Sequence, residues 1–62
     1  MDELFVIFYR DVNTEKTHTE YLAANTLKFA MEQFHQILQV KGIQYYFIIR
    51  VTQYLKVGII KI

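Results

Sequence analysis

Residues 43–62 read IQYYFIIRVTQYLKVGIIKI, a stretch with no proline, one glycine and three cations among large apolar and aromatic side chains. Its length is about that of a membrane span. Arg50, Lys56 and Lys61 interrupt it, however, and one such cation near mid-span costs about 2.5–3.5 kcal/mol on insertion scales. Gln44, Thr52 and Gln53 add polar groups, and Tyr, Phe, Ile and Val favour pleated structure over helix. The stretch is predicted to be sheet, with no membrane association. As one strand it would be roughly 66 Å long at about 3.3 Å per residue. A globule of this size has a radius of gyration near 11 Å, so the run must turn, bend or leave the molecule. The break is placed at Thr52-Gln53-Tyr54, with a fourth strand through Leu55, Val57 and Ile59. No Gly, Pro, Asn or Asp marks a turn there, so pairing of residues 54–62 with another chain is a second expectation.

Upstream, Leu4-Phe5-Val6-Ile7-Phe8-Tyr9 is apolar at both parities, the pattern of a central strand. A polar loop follows, in which Asp11 and Asn13 can bond back to their own backbone. Thr17-His18-Thr19-Glu20-Tyr21-Leu22 then closes a hairpin. A tight hairpin prefers glycine near position 15; Glu15 predicts a wider loop or about 1–2 kcal/mol of strain. Asn25 or Thr26 can cap the helical segment TLKFAMEQFHQILQVKG. Leu27, Ala30, Met31, Phe34, Ile37 and Leu38 form its apolar stripe, Lys41 suits its last turn, and Gly42 ends it. Phe29 lies opposite the stripe and reads as a lone surface aromatic.

The expected fold is α+β, a single domain over residues 1–62 of order β-β-α-β-β. Its antiparallel sheet has strand order 2-1-3-4 and one helix on one face. Strict alternation puts Phe5, Ile7, Tyr9, Tyr45, Phe47, Ile49 and Val51 under the helix. The rear then carries Leu4, Val6, Phe8, Arg10, Tyr46, Ile48 and Arg50, joined by Tyr54, Lys56, Ile60 and Ile62 if the last turn preserves parity. A second helix to cover that rear is missing from the pattern. Contiguous exposed apolar surface commonly marks an interaction site. The predicted interaction face is therefore Phe8, Arg10, Tyr46, Ile48, Arg50, Tyr54 and Lys56.

Composition narrows the chemistry. The chain has 62 residues, 53% of them hydrophobic, a net charge of +1 and no cysteine. Neither disulfides nor thiolate metal sites can supplement a core this small. The opening MDELFVIFYR starts on two acids and lacks a cleavage site, which predicts a cytoplasmic protein. Glycine-rich phosphate loops and paired helical histidines are absent, and the acids are scattered. His18, Glu20 and His35 could in principle approach one another, but their spacing does not indicate a metal site. No catalysis, cofactor or metal is expected.

The segments FVIFYRDVNTEKTH and AANTLKFAMEQF resemble the ββαβ layout of small phage- and plasmid-encoded binding proteins. Similar outlines belong to a phage antitoxin that blocks an RNase toxin and to a phage inhibitor of uracil-DNA glycosylase. The resemblance implies stoichiometric binding and transfers no functional residue. Glu15 stands where that layout has a turn glycine, and the acidity of the DNA-mimicking inhibitor is missing. The expected function is a non-enzymatic protein-binding module, homodimeric, that modulates a protein partner. Nucleic-acid binding through the aromatic and basic sheet face is the second expectation, and a structural subunit the third.

Overall fold

The computed structural model describes residues 3–54. It contains β1 (Glu3–Asp11), β2 (Lys16–Ala24), α1 (Leu27–Lys41) and β3 (Tyr46–Tyr54). The three strands form an antiparallel sheet of order β2-β1-β3, with the helix on one face, an α+β architecture. The fourth strand expected after residue 54 lies outside the described residues. No helix among the described residues is long and apolar enough to cross a membrane.

β1 is the central strand, as its two-sided apolar run requires. Phe5, Ile7 and Tyr9 face the helix and join Leu22, Ala24, Ala30, Phe34 and Leu38 in the core. Val6, on the opposite side, is only 5% exposed. Met31, Ile37, Ile43 and Tyr46 pack around the core's margin, while Leu27, at the start of the apolar stripe, stays exposed.

The helix ends follow their residue chemistry. The Thr26 hydroxyl accepts from the Phe29 N–H at 3.2 Å, so Thr26 is the N-cap in preference to Asn25. Gly42 adopts the left-handed conformation with φ 76°. Its N–H donates to Gln39 O at 3.1 Å, and the Ile43 N–H donates to Leu38 O at 2.9 Å. Those two bonds make a Schellman motif that satisfies carbonyls of the last turn.

The β1–β2 hairpin shows both consequences expected of Glu15. Asp11 pairs with Lys16 across a four-residue loop, and Glu15 sits at φ 59°. The Asp11 carbonyl accepts from the Glu15 N–H at 2.8 Å, and its carboxylate accepts from the Asn13 N–H at 3.0 Å. The left-handed region costs a non-glycine residue about 1–2 kcal/mol. The exposed Glu15 carboxylate lies 3.9 Å from half-buried Arg10, a contact that contributes little in water. Glu15→Gly is therefore expected to stabilise the domain by about 0.5–1 kcal/mol after glycine's own entropy cost. A midpoint raised by a few degrees in thermal unfolding checks this; an unchanged or lower midpoint contradicts it.

β3 departs from the expected pattern in two ways. It runs unbroken through Thr52, Gln53 and Tyr54, where a turn was predicted. It also contains a bulge: Phe8 pairs with Arg50 and Tyr9 with Ile48, leaving Ile49 without a partner on β1. Side chains alternate with period two, so one extra residue exchanges the faces on either side of it. Before the bulge, Tyr46 and Ile48 share the helix side with Asp11 and Tyr9, and Phe47 shares the rear with Arg10. Beyond it, Val51 and Gln53 lie on the helix side, whereas Arg50, Thr52 and Tyr54 lie on the rear.

Candidate interaction face

The bulge divides the predicted interaction residues. Phe8, Arg10, Arg50 and Tyr54 share the rear face, because each is placed there by its cross-strand register. Tyr46 and Ile48 belong to the helix side, a correction to strict alternation along β3, and Phe47, expected beneath the helix, replaces them on the rear. Lys56, Ile60 and Ile62 lie outside the described residues.

On the rear face, the Arg50 guanidinium carbon stands 5.0 Å from the centre of the Phe8 ring. A cation over an aromatic face gains about 0.5–1 kcal/mol at such exposed positions, and the guanidinium also shields the ring. Val6 is flanked by Leu4 and Phe8 on its own strand and faces Tyr21 and Thr52 across the neighbouring strands. Its burial shows that the apolar centre of this face is covered by the chain's own side chains. The continuous oily rear expected from alternation is therefore interrupted by rings, threonines and arginine stems.

The exposed apolar surface concentrates on β3 instead. Phe47 is 52% exposed, Ile49 53% and Tyr54 48%, and Ile48 and Val51 are also exposed. These residues point to both sides of the sheet by their register, and the helix packs chiefly toward β2, so that it covers Tyr46 but leaves them exposed. Among the described residues, the outer edge of β3 pairs with no other strand.

Tyr46 stands on the helix side and not on the rear where alternation put it. Its ring meets Phe34 edge-on at 5.8 Å between centroids and approaches Tyr9 at 6.4 Å. Its hydroxyl bonds His35 Nδ1 at 2.9 Å. The side chain thus closes one end of the core. Outside it, Gln39, Gly42, Ile43 and Gln44 continue an open cleft of about 520 Å³ at the helix C-terminus, with His35 and Tyr46 on its wall.

A polar network missed by sequence reasoning ties the helix to the sheet. The wholly buried Tyr9 donates its hydroxyl proton to Glu20 Oε2 at 2.8 Å, and Lys41 Nζ reaches the same oxygen at 2.5 Å. Burial pushes the Tyr9 phenol well above its ordinary range, assisted by the hydrogen bond to Glu20 and the negative charges of Glu20 and Asp11. Burial alone would raise the Glu20 carboxyl too. Hydrogen bonds from Lys41 and Tyr9, with the charge of Lys41 and nearby His18, outweigh that and hold it below its usual value.

His18, Glu20 and His35 each have other partners. His18 stacks on Tyr9, Glu20 is engaged by Tyr9 and Lys41, and His35 bonds Tyr46. Among the described residues no cluster of three His, Asp or Glu side chains is arranged to hold a metal ion. Phe29 lies exposed on the outer side of the helix.

The chain matches no known family model, no curated protein and no solved structure.

Proposed function

We propose that this chain is a non-enzymatic binding protein that works by stoichiometric contact with a protein surface, and that β3 is the strand through which it makes that contact. The single observation that carries this reading is the exposure of apolar side chains on both sides of β3, from Phe47 to Tyr54. A strand edge also offers N–H and C=O groups for pairing, and proteins that must avoid such contacts usually place charge there. Arg50 is the sole charged residue of β3, and its guanidinium is turned over Phe8.

The first partner in this reading is a second copy. A two-fold pairing of β3 with its counterpart covers Ile49, Val51 and their neighbours without requiring the rear face. The bulge at Ile49 interrupts the ladder, so the pairing uses residues 50–54. The fourth strand of the 2-1-3-4 order, from residues 55–62, is the competing occupant of the same edge.

Sedimentation velocity with the full chain and with Ile49→Lys separates the two. The dimer requires association of the wild-type chain that rises from low to high micromolar concentration and is weakened by about tenfold or more in the lysine variant. Because Ile49 is exposed, the variant's thermal midpoint is expected to stay within about the equivalent of 0.5 kcal/mol of wild type. A wild-type monomer at every concentration would overturn the dimer.

A further inference from the structure

Charge is segregated across the sheet in a way that composition does not reveal. On β1, Glu3 and Asp11 alternate with Phe5, Ile7 and Tyr9 on the helix side, and Glu20 of β2 pairs with Ile7 on that same side. All acidic residues of the strands are therefore removed from the rear. What remains there, beside Leu4, Val6 and Ala23, is Arg10 and Arg50, the rings of Phe8, Tyr21, Phe47 and Tyr54, and the hydroxyls of Thr17, Thr19 and Thr52. Glu15 of the hairpin loop lies 3.9 Å from Arg10 at one end of this face.

We infer that the rear face of the sheet binds single-stranded nucleic acid, with bases stacked on Tyr21, Phe47 and Tyr54 and phosphates held by Arg10 and Arg50. Three features converge on that occupant. Tyr21 is 69% exposed, and Phe47 and Tyr54 are about half exposed, so their rings stand open to a planar partner. Each strand contributes to the platform, on which Tyr54, Tyr21 and Phe47 stand level with Leu4, Val6 and Arg10, a span of roughly 20 Å at about 3.3 Å per residue that several nucleotides of an extended single strand can follow. Arg10 and Arg50 lie among the rings, two register positions apart on adjacent strands, where a backbone passing over the sheet can meet both. The apolar centre is already sealed around Val6, so the face does not demand an oily partner. Its positive charge and exposed rings favour an anionic, stackable one. A duplex is a poor fit because its bases are already paired and stacked.

The proposal shares Phe47, Arg50 and Tyr54 with the strand that carries the dimer reading, but it engages their side chains on the rear of the sheet and not the backbone edge of β3. Fluorescence anisotropy of a labelled oligothymidylate dodecamer, titrated with the full chain, tests it directly. Saturable binding is expected, and two phosphate contacts weaken it about sevenfold for a fourfold rise in salt, at a slope of about −0.7 per contact on single strands. Arg10→Gln with Arg50→Gln should flatten that salt dependence, and Tyr21→Ala should weaken binding by about tenfold. Lys28→Gln, on the helix, should leave binding unchanged. Thermal unfolding of each variant accompanies the titration. Should the double arginine variant unfold, Tyr21→Ala decides alone, because that ring is exposed.

Four results would each overturn the inference. They are no saturable binding at high micromolar protein, equal affinity for the matching duplex, binding insensitive to Tyr21→Ala, and a change of oligomeric state in the arginine variant. The last would assign the face to a second copy.

Discussion

Phe34→Ala is expected to leave the domain largely unfolded at room temperature. Phe34 is wholly buried, meets the Tyr9 ring edge-on at 5.1 Å and the Tyr46 ring at 5.8 Å, and connects the helix to both strands that carry those rings. Removing a core phenylalanine ring costs about 3–5 kcal/mol through lost burial and the cavity left behind. A domain of 62 residues has only about 3–9 kcal/mol of total stability. Without disulfides to restrain the unfolded chain, little reserve remains. Urea denaturation followed by circular dichroism should show a pre-transition baseline that is shortened or lost. A variant that keeps its full cooperative transition, displaced by less than about 1 kcal/mol, would show that the aromatic cluster is peripheral to stability.

The second large effect is expected at Glu20. Glu20→Ala removes the acceptor of a buried tyrosine hydroxyl and the partner of Lys41 in one step. A buried hydroxyl left without a partner costs about 1–3 kcal/mol, and hydrogen bonds to a charged group fall in the upper part of that range. The pH dependence identifies the cause. The Glu20 carboxyl titrates below its ordinary value of 4.5 in the folded chain, so its stabilisation is present above that pH and is lost as the pH falls through the lower folded value. Tyr9 works in the opposite direction. Its phenol is raised above 10.0, so its contribution is complete below that pH and declines as the pH rises further. Glu20→Ala should therefore narrow its stability deficit against wild type at acid pH. A deficit that stays constant from neutral pH down to about pH 3, past the ordinary glutamate range, would assign the loss to packing alone.

These two sites show what the primary structure makes legible. The helix was readable from Thr26, Gly42 and the Ala30–Phe34–Leu38 spacing, because caps and 3.6-residue periodicity are local signals. β1 was readable as the central strand because Phe5, Val6, Ile7, Phe8 and Tyr9 leave no polar side. The hairpin's strained glutamate was legible for the same local reason.

β3 was harder. Its nine residues pass through Thr52-Gln53-Tyr54 without a turn, and the bulge at Ile49 carries no glycine to announce it. A bulge is decided by how two distant strands register, and that depends on pairing energies beyond any local window. One unpaired residue then moved Tyr46 and Ile48 to the helix side and Phe47 to the rear. Tyr46 could take the helix side because Phe34, His35 and Tyr9 offered it a site there. The Tyr9–Glu20–Lys41 network had a partial signal. Pairing Asp11 with Lys16 across the loop sets the β1–β2 register, which brings Glu20 diagonally beside Tyr9. The approach of Lys41 depends on where the helix lies and had no local marker.

With Val6 sealed behind the sheet, β3 carries the densest run of exposed apolar side chains, and the central claim is the proposal that a second chain covers that strand. Hydrogen–deuterium exchange of the full chain, measured at low and high micromolar concentration, tests this most directly. The account predicts that amides of residues 50–54 gain protection as concentration rises, while those of β1 and β2 do not change. Exchange along β3 that is the same at every concentration would contradict it.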